Sequence, residues 1–254
     1  MAKKFYAIKE GFDFQNNCKV ENMIVDTWDE CVKYVKGAKG AKYKSFPTIL
    51  EAKEYINTGA SMVIKDKDEY PKDIPLFYVD GSYNEFTEKY SYAFVAVKNG
   101  VIIEVKNGAS EDNSFKAIRQ IAGELEAAIN AIEYSIEKGY KDIIILHDYV
   151  GVCYHATGEW ERKEESSKRY YERYNKLTKE NGINVKFVKV NSHTGNLFNE
   201  ITDEFAKIAI NISLKGETKK YLKSNCIKVL DSNIKDAFKE IVGEELINNI
   251  MVCQ

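Results

Sequence analysis

Leu76–Ser82 reads LFYVDGS, a short apolar run that carries Asp80 and then Gly81 and Ser82. Burying a carboxylate in a strand is costly unless something pairs it. Two explanations compete. Asp80 ends the strand and starts a turn, since Asp and Gly are turn residues, or a metal ion pairs it. The choice depends on what the rest of the chain brings to the same place.

Downstream, Ser91–Lys98 and Val101–Val105 are strand-like, and Asn99-Gly100 between them is a strong hairpin signal. Ser114–Lys138 predicts a long helix, because Phe115, Ile118, Ile121, Leu125, Ile129, Ile132 and Ile136 keep one apolar stripe. Ile143–Leu146 is fully apolar and predicts a strand buried on both faces, ending at His147-Asp148. Helix over Ser166–Glu180, strand over Asn184–Val190 and helix from Leu197 to about Ile212 follow. Three hairpin-linked strands, then helix, strand, helix, strand, helix: this order predicts an α/β domain over 76–214 with a mixed five-stranded sheet flanked by helices.

Upstream, residues 1–56 predict a small separate α/β unit. Lys4–Lys9 alternates like a strand, Gly11–Glu21 is polar and loop-like, and Met23–Val25 is a second short strand. Thr27 with Glu30, and Thr48 with Glu51, have capping-box spacing and predict two helices, with a strand over Tyr43–Phe46 between them. Lys33, Lys36, Lys39, Lys42 and Lys44 come without an intervening acid, and Trp28, Tyr34 and Tyr43 lie among them. Such a set neutralises phosphates and stacks on bases, or it is a solvated face over core aromatics. Residues 57–75, charged and holding two of the three prolines, predict a linker, with Ser61–Ile64 as an alternative short strand. Residues 215–254 predict a helical extension, because Ile234, Phe238 and Ile241 keep helical spacing after Asp231-Ser232.

Composition narrows the classes. Hydrophobic residues are 44% and charged residues 30% of 254, an ordinary globular balance. A net charge of -2 means that a polyanionic partner must meet a local basic patch. The five cysteines are scattered without a C-x-x-C pair, which disfavours a zinc site or a disulfide framework and fits a cytoplasmic location. The first residues lack the apolar core of a signal peptide. No apolar run is long enough to span a membrane, and no obligate protein partner is evident.

Four acids stand at telling places. Asp80 ends the first strand of the larger domain. Glu124 lies in the long helix, in GELEA. Asp148 follows the buried strand, and Asp203 lies near the start of the last helix, with Glu200 three residues before it. Singly, each has a bland reading as a turn, a solvent-facing helix residue or a cap. Together they fall where strand ends and helix starts assemble sites, and clustered oxygen ligands suit magnesium or manganese.

The motifs YVDGSYN, AGELEAA, ILHDYVGV and NSHTGNLFNEITDEFAK closely resemble, in order, those of type 1 ribonuclease H. FYAIKEG, TWDEC and KGAKGAKYKSF resemble that family's N-terminal hybrid-binding domain. The resemblance covers roughly residues 4–212. It implies that Asp80, Glu124, Asp148 and Asp203 hold two Mg2+ ions, with Mn2+ as an alternative. It further implies that Glu200 and His193 act near the second metal and product departure, that Gly81 and Ser82 contact the RNA strand and Asn199 the substrate backbone, that Trp28 and Tyr43 pack on the DNA strand, and that Lys42 and Lys44 contact phosphates. Ser45 departs from relatives that carry a second lysine there, and the segment between Gly11 and Trp28 looks longer than usual.

The expected activity is endonucleolytic hydrolysis of the RNA strand of RNA–DNA hybrids. Activated water, in-line geometry and relief of charge on the leaving oxygen are what a pair of divalent cations supplies. The resemblance implies products with a 5′ phosphate and a 3′ hydroxyl. Two alternatives stay open: a related two-metal nuclease acting on DNA, and a non-catalytic hybrid-binding protein.

Overall fold

The computed structural model describes residues 4–57, 64–65, 70–71, 73–110, 118–161, 164–190 and 196–253. The chain divides into two compact units, Met1–Ser61 with Thr157–Trp160, and Met62–Ala156 with Glu161–Gln254.

The first unit contains strands β1 (Phe5–Asp13) and β2 (Cys18–Val25), helix α1 (Trp28–Val35), strand β3 (Lys42–Phe46) and helix α2 (Ile49–Asn57). Its antiparallel sheet has the order β2-β1-β3. Alternation along β1 sorts the two helices. Ile8 packs with Cys31 and Val35 of α1, while the next residue back, Ala7, packs with Ala52 and Tyr55 of α2. Each helix starts on a threonine: Thr27 Oγ1 accepts from Glu30 N at 3.2 Å, and Thr48 Oγ1 accepts from Glu51 N at 3.2 Å.

One expectation is corrected here. Gly11–Glu21 is not a loop, because β1 and β2 continue through it and pair as far as Asp13 with Cys18. The turn is held by Asp13, whose carboxylate accepts from Gln15 N at 2.9 Å and Asn16 N at 3.1 Å. The arm is mostly polar, with only Val20 buried on β2 before the strand reaches the core, so it lacks the apolar alternation that marks a strand.

The second unit adds β4 (Ile64–Lys65), β5 (Leu76–Asn84), β6 (Lys89–Lys98), β7 (Val101–Ser110), α3 (Gln120–Glu137), β8 (Asp142–His147), α4 (Gly151–Thr157), α5 (Glu165–Asn181), β9 (Asn184–Lys189) and α6 (Leu197–Ile208). It continues with α7 (Glu217–Leu222), β10 (Ile227–Val229), α8 (Ser232–Ala237), α9 (Lys239–Val242) and β11 (Ile250–Val252). The mixed sheet runs β11-β10-β7-β6-β5-β8-β9-β4. The five expected strands are its centre, but β5 runs on to Asn84, so Asp80 lies within the strand, paired with Ala93, and does not end it. β5, β6 and β7 are antiparallel, and β8 and β9 join in parallel. Asn99 and Gly100 turn the β6–β7 hairpin with φ of 53° and 75°, the conformation that an Asn-Gly turn requires.

The expected helical extension over 215–254 is corrected. Beside its helices it supplies β10, which pairs in parallel with β7, and β11, which pairs in parallel with β10. In the expected linker, Ile64–Lys65 forms β4 and pairs with β9. These strands have two or three residues, too few to show a period of two.

The sheet separates two cores. Phe77, Val79, Phe94, Ile143, Ile145 and Phe187 face α3 and α5. Tyr78, Val95, Ile144 and Leu146 face α6 and the extension. The predicted stripe holds within α3, with Leu125, Ile129 and Ile132 buried, but the helix begins only at Gln120, after Arg119 with φ of 48°, so Ile118 lies ahead of it. Phe115 lies outside the described residues.

Candidate active site

Two glycines bring α3 to the sheet. A Cβ on Gly123 would collide with the Ser91 carbonyl oxygen and lie 2.8 Å from Gly81 Cα. A Cβ on Gly81 would lie 2.6 Å from Glu124 N. Only glycine at both positions permits this approach, and it sets Glu124 beside Asp80.

Ligand atoms of Asp80, Glu124 and Asp148 lie within 4.8 Å of one another. Asp80 accepts from its neighbour's backbone, Gly81 N, at 2.7 Å. Glu124 Oε2 accepts from Tyr149 N at 3.3 Å, tying α3 to the turn after β8. Asp203 is not part of this tight group. It forms an ion pair with Lys207 one turn along α6, and both side chains are only 14% exposed.

The cluster is electrostatically strained. Burial pushes the Asp80 carboxyl well above the usual carboxylate range; the Asp148 and Asp203 charges add to this, and Gly81 N–H and Lys207 oppose it. Glu124 is raised in the same way, by burial first, then by Asp148 and Asp80 and its hydrogen bond with Asp148, against the Tyr149 N–H. Crowded, desolvated carboxylates are stabilised by taking up protons or a cation. An all-oxygen donor set with this excess of negative charge fits a hard divalent cation.

The other expected residues are distributed around this centre. Glu200 and Asn199 are buried in the first turn of α6. That turn is capped by Asn196, whose side chain accepts from Phe198 N at 3.2 Å and Asn199 N at 3.4 Å. Gly81 is half-buried and Ser82 is buried. His193 lies outside the described residues.

In the first unit, Trp28 and Tyr43 are 45% and 44% exposed. Their ring centroids are 5.7 Å apart, and that of Tyr6 lies 5.6 Å from Trp28. Trp28 and Tyr43 are therefore a surface platform, not core. Lys42 is exposed and paired with Glu10 at 2.8 Å. Lys44 is half-buried, with its ammonium 6.0 Å from the Phe46 ring centroid.

Sequence reading missed two side chains and one helix. Lys207 neutralises Asp203, and the i, i+4 spacing was the available signal. His147 is fully buried, and its Nδ1 donates to the Tyr149 carbonyl at 2.9 Å, fixing the turn that presents Asp148. Burial pushes its pKa down to about 4, so the ring is neutral near pH 7. Helix α4, directly after Asp148, has seven residues and little periodicity.

Residues 4–56 match the profile of the Ribonuclease H1 N-terminal domain, and residues 72–211 match RNase H. The chain belongs to the RNase H family, and it is a ribonuclease H. Similar solved structures include RNase H1 from the halophilic archaeon Halobacterium salinarum NRC-1, 22% identical over 54% of this chain and 97% of that one, with a TM-score of 0.45. LC11-RNase H1 in complex with RNA/DNA hybrid is 18% identical over 54% and 96%, with a TM-score of 0.46. The N-terminal RNase H domain of a Mycobacterium tuberculosis protein is 14% identical over 55% and 94%, with a TM-score of 0.45. A comparison with curated proteins found no match. Among the described residues no helix is long and apolar enough to cross a membrane.

Proposed function

We propose that this ribonuclease H cuts the RNA strand of RNA–DNA hybrids at the Asp80 cluster, leaving 5′ phosphate and 3′ hydroxyl ends. The observation that carries the reading is the convergence of three ligand-bearing carboxylates within 4.8 Å. Asp80, Glu124 and Asp148 would hold divalent cations, two Mg2+ or Mn2+ ions with Asp203 as the fourth carboxylate. When bound, such ions lower the pKa of a water and take up charge on the leaving oxygen. The chain's own residues do the positioning. Glu124 is oriented by the Tyr149 N–H, Asp80 by the rigid strand β5, and Asp203 by α6 with Lys207 balancing its charge. Glu200 and His193 serve product departure. Gly81, Ser82 and Asn199 approach the RNA strand, where the 2′ hydroxyl separates RNA from DNA.

The domain assignment goes with this reading: 1–56 binds hybrid, 57–75 links, 76–214 cleaves and 215–254 extends the catalytic domain. Trp28 and Tyr43 stack on the DNA strand, and Lys42 and Lys44 meet its phosphates. Exposing two large rings in a small unit costs solvation that a bound nucleic acid would recover. The test is cleavage of labelled RNA–DNA hybrid, RNA duplex and DNA duplex with magnesium, manganese or chelator. Cutting of the RNA strand in the hybrid alone, and only with metal, is expected. Equal cutting of duplex DNA, or activity in chelator, would overturn the reading.

A further inference from the structure

Residues 212–253 lie beyond the RNase H match, yet they pack on the helix that carries Asp203. Three consecutive residues of α6 point to three different partners. Asp203 pairs with Lys207 one turn along α6, beside the acid cluster whose Asp80 feels its charge. Glu204 is 1% exposed, and its two oxygens accept from Glu217 N at 2.9 Å and Thr218 N at 3.4 Å, the opening donors of α7. Phe205 meets Phe238 edge-on at 5.2 Å, within a core that includes Leu222, Ile241 and Val242 of the extension.

A fully buried glutamate is an expensive way to start a six-residue helix. Gly216, at the cap position, has no side chain to satisfy those donors, so Glu204 does so from another helix. On its sheet side, α6 is tied through its carbonyls: Ser91 Oγ donates to Ala206 O at 2.6 Å, and Asn107 Nδ2 donates to Phe205 O at 2.8 Å. Asn84 Nδ2 donates to Ile210 O, just past the helix, at 3.0 Å. The helix is held from both sides, so its rotation about its own axis is fixed. That rotation matters for Asp203. At a side-chain radius of about 5–6 Å, a turn of roughly 10° moves the carboxylate by about 1 Å. A misplacement of that size near a reacting centre can cost about a hundredfold in rate.

We propose that the C-terminal extension braces α6, with Glu204 as a positioning residue that fixes the orientation in which the helix presents Asp203 to the acid cluster. The proposal rests on the reading of Asp203 as a metal ligand. Glu204→Ala in the full chain should raise the Mg2+ concentration for half-maximal cleavage several-fold and lower kcat about tenfold or more, with KM for the hybrid unchanged. The rise in Tm on adding Mg2+ should also shrink, measured against each variant's own metal-free Tm. Glu204→Gln keeps one acceptor oxygen and should recover part of both effects. Phe238→Leu loosens the same brace at a second point and should move the Mg2+ midpoint in the same direction, so it carries the test if Glu204→Ala does not fold. A folded Glu204→Ala chain with lowered Tm but a normal Mg2+ midpoint and kcat would overturn the brace. Asp203→Asn separates the two layers: if it keeps normal turnover and Mg2+ midpoint, the reading of Asp203 fails, independently of what Glu204 does.

Discussion

The two units treat their most informative side chains in opposite ways. The first leaves Trp28 and Tyr43 nearly half exposed, where they carry no charge to repel one another and remain available to a ligand. The second draws Asp80, Glu124 and Asp148 together in a desolvated site, where their mutual repulsion works against folding. A surface for binding can be assembled from groups that are stable alone. A site for phosphodiester hydrolysis concentrates charge that only a ligand neutralises, so its cost to stability is the counterpart of its affinity for cations.

The sharpest way to break this contrast is Asp148→Asn. It should abolish hybrid cleavage in magnesium, by about a thousandfold or more, while leaving metal-free stability equal or higher because one repelling charge is gone. Near-normal turnover in a steady-state assay would remove the catalytic half of the comparison. Gly123→Ala should come next. The new methyl meets the Ser91 carbonyl and Gly81, so about 1–3 kcal/mol of stability should be lost, and Glu124 displaced by the shift of α3 should cost activity as well. Denaturant titration alongside cleavage would detect both; an unaffected variant would mean that the helix can yield a methyl's width at this contact without cost.

The acid cluster also predicts a pH dependence opposite to that of an ordinary paired carboxylate. Asp80 and Glu124 have folded pKa values above their unfolded ones, so the protonated folded state is favoured. Their contribution to stability is fully present below the usual carboxylate range, and it is lost as pH rises through the raised folded values. In chelator, Tm should therefore fall over that window, and added Mg2+ should flatten the fall; a metal-independent profile would contradict the assignment. Trp28→Ala should have the smallest effect on the molecule as a whole. We expect about tenfold weaker binding of hybrid, since stacking on one base is worth about 1–3 kcal/mol, with cleavage at saturating substrate and Tm nearly unchanged. A large loss of Tm would make Trp28 a packing residue.

Much of this arrangement is legible in the sequence. Thr27, Thr48 and Asp231 cap the helices their spacing announces. Asn99-Gly100 turns a hairpin, and Ile129 and Ile132 mark the inward face of α3. The convergence of acids was legible only as a sum, because Asp80, Glu124 and Asp148 each had an ordinary local role. What escaped reading had a weak local signal or none. The β1–β2 arm is polar because most of it faces solvent, and β10 and β11 owe their existence to pairing with distant strands, such as Val229 beside Ile102, whereas β4 falls at the edge of the alternative strand read over Ser61–Ile64. Lys207 and His147 carry meaning only through the acids they adjoin.

The extension over α6 has a consequence for the order in which the molecule is completed. During synthesis, Ile201 and Phe205 leave the ribosome before Leu222, Phe238 and Ile241, which cover them. At about 5–20 residues per second, the roughly forty residues from the end of α6 to β11 take about 2–8 s to follow. For that interval an apolar helix face waits for its cover. The helix bearing Asp203 is thus fixed well after it is made, although the strand bearing Asp80 is formed from sequence made more than a hundred residues earlier.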